Sequence, residues 1–324
     1  MTLETITLPE TTLAEPVYSR PPTPRPASVM AELPAARRPG TGWWGLARAV
    51  SRIVVWLAWT LTLIPVQFVA LRLLARGIWP GFAIGFPTFY HRSLCRILGI
   101  TIELRGVAPA PAPVLIIANH CSWLDIIVLS AIRPLSFVAK AEVATWPLFG
   151  LLAKLQRTVF VERERRSRVT EHKDEITRRL GLGDALVLFP EGTTNEGNRM
   201  IPFKTALFSA AATTVDDGKG GARPIIVQPW SVAYTGLNNM PMGWDQRHFY
   251  AWYGDMELAP HLWQILQMGP VTVRVELHAP VTLADFDNRK HLSAHCERTV
   301  AEGLSAALAG RQSGPARILG RPFP

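Results

Sequence analysis

The sequence predicts an α/β protein: a mixed, largely parallel β-sheet flanked by helices, preceded by an apolar helical segment that meets a membrane. Three observations predict it. From residue 100 onward, short β-type runs alternate with helical stretches. Several runs, such as "VLIIAN" (114–119) and "ALVLFP" (185–190), are continuously apolar, the pattern of strands covered on both faces. Residues 53–71, "IVVWLAWTLTLIPVQFVAL", carry no charge. As a helix that stretch spans roughly 28 Å at 1.5 Å per residue, about one bilayer core.

Taken in order, residues 1–41 are rich in Pro, Thr, Ala and Glu without an apolar period, and read as a disordered tail. Residues 42–90 read as the membrane-associating segment. Trp43 and Trp44 stand where interfacial aromatics belong. Arg48 and Arg52 precede the apolar run and Arg72 and Arg76 follow it, so flanking charge gives no orientation. Pro65 interrupts the run, and residues 78–90, "IWPGFAIGFPTFY", are broken by Pro and Gly. Together the two pieces predict a helical hairpin dipping into one leaflet, with a full span and a buried core helix as the competing readings.

Residues 91–285 carry the α/β pattern. Residues 92–99 have helical spacing. The strands are "ITIEL" (100–104), 114–119, "LSFVAK" (135–140), "TVFVER" (158–163), 185–190, "IIVQPWSVAY" (225–234) and "VTVRVEL" (271–277), with helices at 164–180 and 203–213. Residues 286–324 read as a C-terminal helix, 291–309, and a tail. No internal repeat is present. The stretch 237–270 holds Trp244, Trp252, Trp263 and four methionines. It reads as the lining of an acyl-chain tunnel, as a surface resting on the membrane, or as ordinary packing of a helix on the sheet.

Composition narrows the partners. Of 324 residues 48% are apolar, and the formal charge of +9 favours anionic partners. Because 28 of the 34 basic residues are Arg, base composition of the gene shares in that charge. Neither zinc-finger spacing nor a basic helix interleaved with stacking aromatics is present, which argues against nucleic acid. Cys95, Cys121 and Cys296 are odd in number and far apart, which excludes a disulfide framework and fits a reducing compartment. No signal peptide is expected, since the first long apolar run begins only near residue 53.

The chemistry gathers at strand ends. In "NHCSWLD" (119–125), His120 and Asp125 are five residues apart, about 500° of α-helix, so they do not share one helical face. They meet if His120 lies on the strand-to-helix turn and Asp125 one turn inside the helix, with Ser122 as the cap. The carboxylate then fixes one ring nitrogen and leaves the other as a base. A satisfied polar histidine is the competing reading, and a metal site is disfavoured because His120 has no second ligand at suitable spacing. "FPEGT" (189–193) places Glu191 just past another apolar strand, again a strand end. "TVFVERERR" (158–166) ends a third strand at Arg163, while Arg165, Arg166 and Arg168 read as a solvated helix face. Cys121 beside the base reads as packing rather than as a nucleophile.

These segments resemble the glycerolipid acyltransferase family, of the lysophosphatidic acid acyltransferase type. "NHCSWLD" matches its His-x4-Asp block, "VFVER" (159–163) its second block ending in a phosphate-contacting Arg, "FPEGT" its third, and "IIVQPWSVAY" with Pro229 its fourth. The resemblance covers about residues 80–285. It implies O-acyl transfer to a lysolipid from an acyl thioester, coenzyme A or acyl carrier protein, with no metal and no other cofactor. His120 is implied as the base, oriented by Asp125. Arg163, Glu191, Gly192 and Thr193 are implied in acceptor binding, and Lys140 in positioning. The implied location is the cytoplasmic face of a bacterial inner membrane. Where the family's third block usually continues with Arg, this chain has Thr194. Either Arg199 or Lys204 compensates, or the acceptor lacks a phosphate, as lyso-ornithine lipid does. Lysophosphatidic acid is the first expectation and lyso-ornithine lipid the alternative. A hydrolase is disfavoured by the lack of a Gly-x-Ser-x-Gly elbow. A catalytically silent lipid-binding protein is disfavoured by the intact His120, Asp125 and Glu191.

Overall fold

The computed structural model describes residue 40 and residues 42–161, 169–216, 221–311 and 314–320. The tail at 1–39, Arg163, and Arg165, Arg166 and Arg168 lie outside the described residues.

Two helices open the chain: α1, Trp43–Leu74, and α2, Pro80–Leu98. Strand β1, Ile100–Gly106, and β2, Val114–Ala118, follow, then α3, Leu124–Ile132. Next come β3, Ser136–Lys140; α4, Phe149–Leu155; β4, Val159–Val161; α5, Val169–Gly181; and β5, Ala185–Leu188. A small hairpin, β6 (Thr214–Asp216) and β7 (Ala222–Pro224), precedes the long β8, Ile226–Leu237, with β9, Met240–Pro241, folding back on it. The chain ends with α6 (Trp244–Arg247), α7 (Leu258–Gln267), β10 (Val271–Leu277), α8 (Arg289–Leu308) and β11 (Arg317–Leu319).

The main sheet runs β11-β1-β10-β8-β2-β5-β3-β4. Its pairs β8/β2, β2/β5, β5/β3, β3/β4 and β1/β10 are parallel, while β10/β8 and β11/β1 are antiparallel. It is the mixed, largely parallel sheet that the apolar runs predict. The sheet divides two cores, as the alternation along β2 shows. Val114, Ile116 and Ala118 face one core with Leu94, Val128 and Trp230. Leu115 and Ile117 face the other with Leu180, Phe208 and Val300. Both sets are fully enclosed, so truncating Ile116 to Ala costs about 2–5 kcal/mol.

From Pro80 onward the 78–90 stretch is one unbroken helix. Pro80 sits at the first helical position, where its missing N–H costs nothing, and α2 continues to Leu98. Gly99, at φ 75°, ends it and turns the chain directly into β1. Pro87 lies inside the helix and cannot donate to the carbonyl of Ala83. Gln67 Nε2 of α1 donates to that oxygen instead, at 3.1 Å, and to Leu155 O at 3.0 Å. A side chain of one helix thus repairs the hydrogen bond that a proline removes from the next.

Helix α1 lies along the domain. Ala49, Trp56, Thr60, Gln67 and Ala70 form a buried stripe at helical spacing. Arg48 donates to Gln267 O, and Arg52 donates to Leu266 O and Met268 O, closing the carbonyl end of α7. From Arg48 to Gln67 the contact covers about 28 Å of helix. The opposite face presents Val54, Leu61, Phe68 and Val69 outward. The helix is long and apolar enough to cross a membrane.

The C-terminal residues are more than a tail. Arg317–Leu319 pairs antiparallel with β1 as an edge strand, and α8, capped by the Asn288 side chain, supplies Leu292, Cys296 and Val300 to the second core.

Candidate active site

Register brings two of the predicted strand ends side by side. In the β2–β5 pairing Ile117 lies opposite Leu188, and in the β2–β8 pairing Ala118 lies opposite Trp230. The turn after β2 therefore emerges beside the turn after β5, with β8 running on past both. Asn119 continues the pairing with its side chain. Its Nδ2 donates to Val232 O at 2.9 Å, and its Oδ1 accepts from Val232 N–H at 2.8 Å.

His120 follows on the turn, and Asp125 is the second residue of α3. His120 Nδ1 lies 2.8 Å from Asp125 Oδ2. The same oxygen accepts from Cys121 N–H at 2.8 Å and Ser122 N–H at 3.0 Å. Asp125 thus closes the helix start from within. The expectation that Ser122 caps the helix changes accordingly: its hydroxyl lies 3.4 Å from Leu124 N–H and also hydrogen-bonds the Tyr234 hydroxyl. Asp125 is fully buried, while the His120 side chain keeps 19% exposure. With the proton on Nδ1 held toward a buried carboxylate, Nε2 is the nitrogen left to act as a base.

The turn is fixed from several sides. The His120 ring stacks on Phe189 with centroids 4.0 Å apart and planes 11° apart. Trp252 N–H donates to Cys121 O at 2.8 Å. Trp123 stacks on Trp56 of α1 and donates from Nε1 to His261 Nδ1 of α7 at 3.0 Å. Burial of the Cys121 thiol, with the charges of Asp125, Glu191 and Glu196 behind it, pushes its pKa well up. The thiolate is disfavoured, which agrees with reading Cys121 as packing.

Glu191 sits at the end of β5 with no exposed surface. Oε1 accepts from His120 N–H at 2.8 Å; Oε2 accepts from Asn195 Nδ2 at 2.6 Å and Ile201 N–H at 2.9 Å. Burial pushes the Glu191 carboxyl up to about 8, against those three hydrogen bonds. Its side chain braces the catalytic turn and its own loop. Both of its carboxyl oxygens are engaged within the chain.

The remaining predicted residues fall at different distances from this centre. Gly192 (φ 75°) lies beneath Lys204: a Cβ built there would stand 2.6 Å from Lys204 Nζ. Thr193 is exposed. Arg199 pairs with Glu196 at 2.7 Å on the same loop, whose Gly197 lies against Cys121. Lys140, at the end of β3, is exposed and pairs with Glu142 at 3.6 Å, with no contact to the His120–Asp125 pair.

Sequence reasoning missed Tyr234. Its hydroxyl donates to Asp125 Oδ1 at 2.8 Å, and its ring is buried. The signal was present as the only hydroxyl-bearing aromatic in the β8 run, but a tyrosine in an apolar strand reads as core.

The 237–270 stretch contributes little to the apolar cavity of the domain. A partly open apolar cavity of about 200 Å³ lies between α1, α2, α3 and α4, lined by Trp56, Tyr90, Trp123, Phe137, Phe149 and Leu155 among others. Of the 237–270 region only Leu258 reaches it. Met242 and Met268 pack in the core, while Met240, Trp244 and Trp263 are exposed.

Comparison with known proteins agrees with this geometry. Residues 100–233 match the acyltransferase family model. A lyso-ornithine lipid O-acyltransferase of Brucella abortus is 43% identical over 83% of this chain and 98% of its own length. One of Rhizobium meliloti is 41% identical over 82% of this chain and 88% of its own length. A 1-acyl-sn-glycerol-3-phosphate acyltransferase of Neisseria meningitidis is 32% identical over 64% of this chain and 76% of its own length. The crystal structure of the 1-acyl-sn-glycerophosphate (LPA) acyltransferase PlsC from Thermotoga maritima shares the fold, with TM-score 0.56 and 20% identity over 82% of this chain and all of the other. The chain belongs to this acyltransferase family and is a lysolipid O-acyltransferase of the type that its four motifs resemble.

Proposed function

We propose that the acceptor is a lyso-ornithine lipid, and that the chain works on the cytoplasmic face of a bacterial inner membrane. One observation carries the acceptor: the relatives at 43% and 41% identity, matched over nearly their full length, bear that name, and the one at 32% bears the phosphate-containing acceptor's name. The order of the two acceptors read from the sequence is thereby reversed. Thr194 fits this choice, because an ornithine head group carries a carboxylate and an ammonium but no phosphate.

The reaction then runs through His120. The acceptor hydroxyl attacks the thioester carbonyl while His120 Nε2 takes its proton. Asp125 stabilises the imidazolium through Nδ1–H. Collapse of the tetrahedral intermediate breaks the C–S bond, and the thiolate recovers the proton from His120. Ester and free thiol are the products, with atoms and charge balanced. The donor is acyl-CoA or acyl carrier protein. Its chain enters the cavity beside Phe137, whose ring stacks on Phe189 next to His120.

Helix α1 lies in the plane of the membrane rather than across it in this account. The protein flanks it for about 28 Å, so lipid reaches only the outward face.

The test is acyl transfer by the purified chain in detergent, with labelled thioester and lyso-ornithine lipid or lysophosphatidic acid in parallel. The proposal expects kcat/KM at least tenfold higher with lyso-ornithine lipid. Preference for lysophosphatidic acid overturns it.

A further inference from the structure

Asp125 is a buried anion whose two oxygens are treated unequally. Oδ2 accepts three N–H groups, from His120, Cys121 and Ser122. Oδ1 faces β8. It accepts the Tyr234 hydroxyl at 2.8 Å and otherwise meets the Cys121 sulfur at 4.0 Å, a weak donor at the limit of contact. Tyr234 therefore supplies the strong hydrogen bond on that oxygen.

The phenol is held for this contact. Its ring stacks on Tyr250 at 5.8 Å and 22°, and Tyr250 OH donates to Gly269 O. Its carbonyl accepts from Arg247 Nε at 3.3 Å, and Arg247 Nη1 donates to Asn198 Oδ1 in the loop that follows Glu191. Asn119 pins Val232 two residues earlier. Burial, with the Asp125 charge beside it, pushes the Tyr234 pKa well above the ordinary value, so the group stays a protonated donor.

We propose that Tyr234 is a positioning residue for acyl transfer: its hydroxyl orients the Asp125 carboxylate and draws charge onto Oδ1, which sets how much negative charge Asp125 presents to His120. The proposal rests on the acyl-transfer reading of the site. The hydrogen bond disperses carboxylate charge away from Oδ2, so that less of it faces the His120 ring. The other titratable groups around the pair are Cys121 and Glu191, with Glu196 behind Cys121, His261 behind Trp123, and Tyr250 and Arg247 behind Tyr234.

The test measures acyl transfer by the full chain in detergent, with labelled acyl-CoA and lyso-ornithine lipid, across pH. Wild type and His120→Ala, run alongside, establish the acyl-transfer reading on their own. Tyr234→Phe keeps the ring and removes the donor. Its kcat should fall about 10- to 100-fold, the range of one hydrogen bond to a charged group. The acceptor KM should stay within about twofold. The acid limb of the pH–rate profile should move to higher pH. A ring-fluorinated tyrosine at position 234 keeps the fold and strengthens the donor, and should move that limb to lower pH. An unmoved limb in both variants overturns the proposal, as does a loss that follows only thermal stability or KM.

Discussion

Glu191 Oε1 accepts the backbone N–H of His120 at 2.8 Å, so the third motif holds the first by a side chain that never reaches solvent. Three donors converge on this carboxylate, from His120, Asn195 and Ile201. Glu191→Gln turns one acceptor into an NH2 facing an N–H. That costs about 1–3 kcal/mol of stability and displaces the His120 turn. Chemical unfolding together with kcat checks both effects; wild-type values for both would show that the brace is dispensable.

The same carboxyl gives a pH dependence. Its folded pKa, pushed up to about 8 by burial, lies above the ordinary 4.5. The folded chain therefore binds more protons than the unfolded chain between those values. The contribution to stability is fully present below about 4.5 and is lost as pH rises through about 8. Thermal unfolding from pH 5 to 8 should show a falling contribution that Glu191→Gln removes. An identical slope in wild type and variant contradicts this assignment.

The reading that Arg199 and Lys204 stand in for the arginine replaced by Thr194 makes a separate prediction. Arg199→Ala and Lys204→Ala should each raise the KM for the acceptor about 5- to 50-fold with kcat little changed, since they bind ground and transition states alike. Gly192→Ala should act like Lys204→Ala, because its Cβ collides with Lys204 Nζ and its φ of 75° strains any side chain. Acceptor KM values equal to wild type would remove this loop from the binding site.

The proposed function places the membrane contact on the outward face of α1. Val54→Asp and Leu61→Asp place charge on that face, at residues 59% and 63% exposed, without touching the buried stripe. Binding to vesicles should weaken at least about tenfold per substitution while the fold is kept. Undiminished vesicle binding would place the membrane contact elsewhere.

The cavity predicts donor selectivity. Ala153 lines it, and Ala153→Phe fills part of about 200 Å³. The preferred acyl chain should become shorter by several carbons, read from competition among thioesters of graded length. An unchanged length preference would separate the cavity from the acyl chain.

Legibility varied with the kind of signal. The strands were readable because a buried parallel strand is a short apolar run, and β10 occupies the 271–277 run read from sequence. The His120–Asp125 contact was readable because a turn followed by a helix start leaves few ways to place them. The continuity of α2 was not, since the partner of the carbonyl that Pro87 frees lies on another helix, at Gln67. Tyr234 was hidden for the same reason: 109 residues separate it from Asp125, and only the parallel register of β8 with β2 brings them together. The edge strand at 317–319 has three residues and no apolar period, and β1 decides its conformation.

The measurement that tests the central claim most directly is transfer by His120→Ala of a labelled acyl group to lyso-ornithine lipid, with wild-type folding and vesicle binding verified first. The account predicts a loss of roughly 10²–10⁴-fold in kcat, the contribution of one general base, with folding and membrane binding intact. Transfer within about threefold of wild type would contradict it and move the chemistry away from His120.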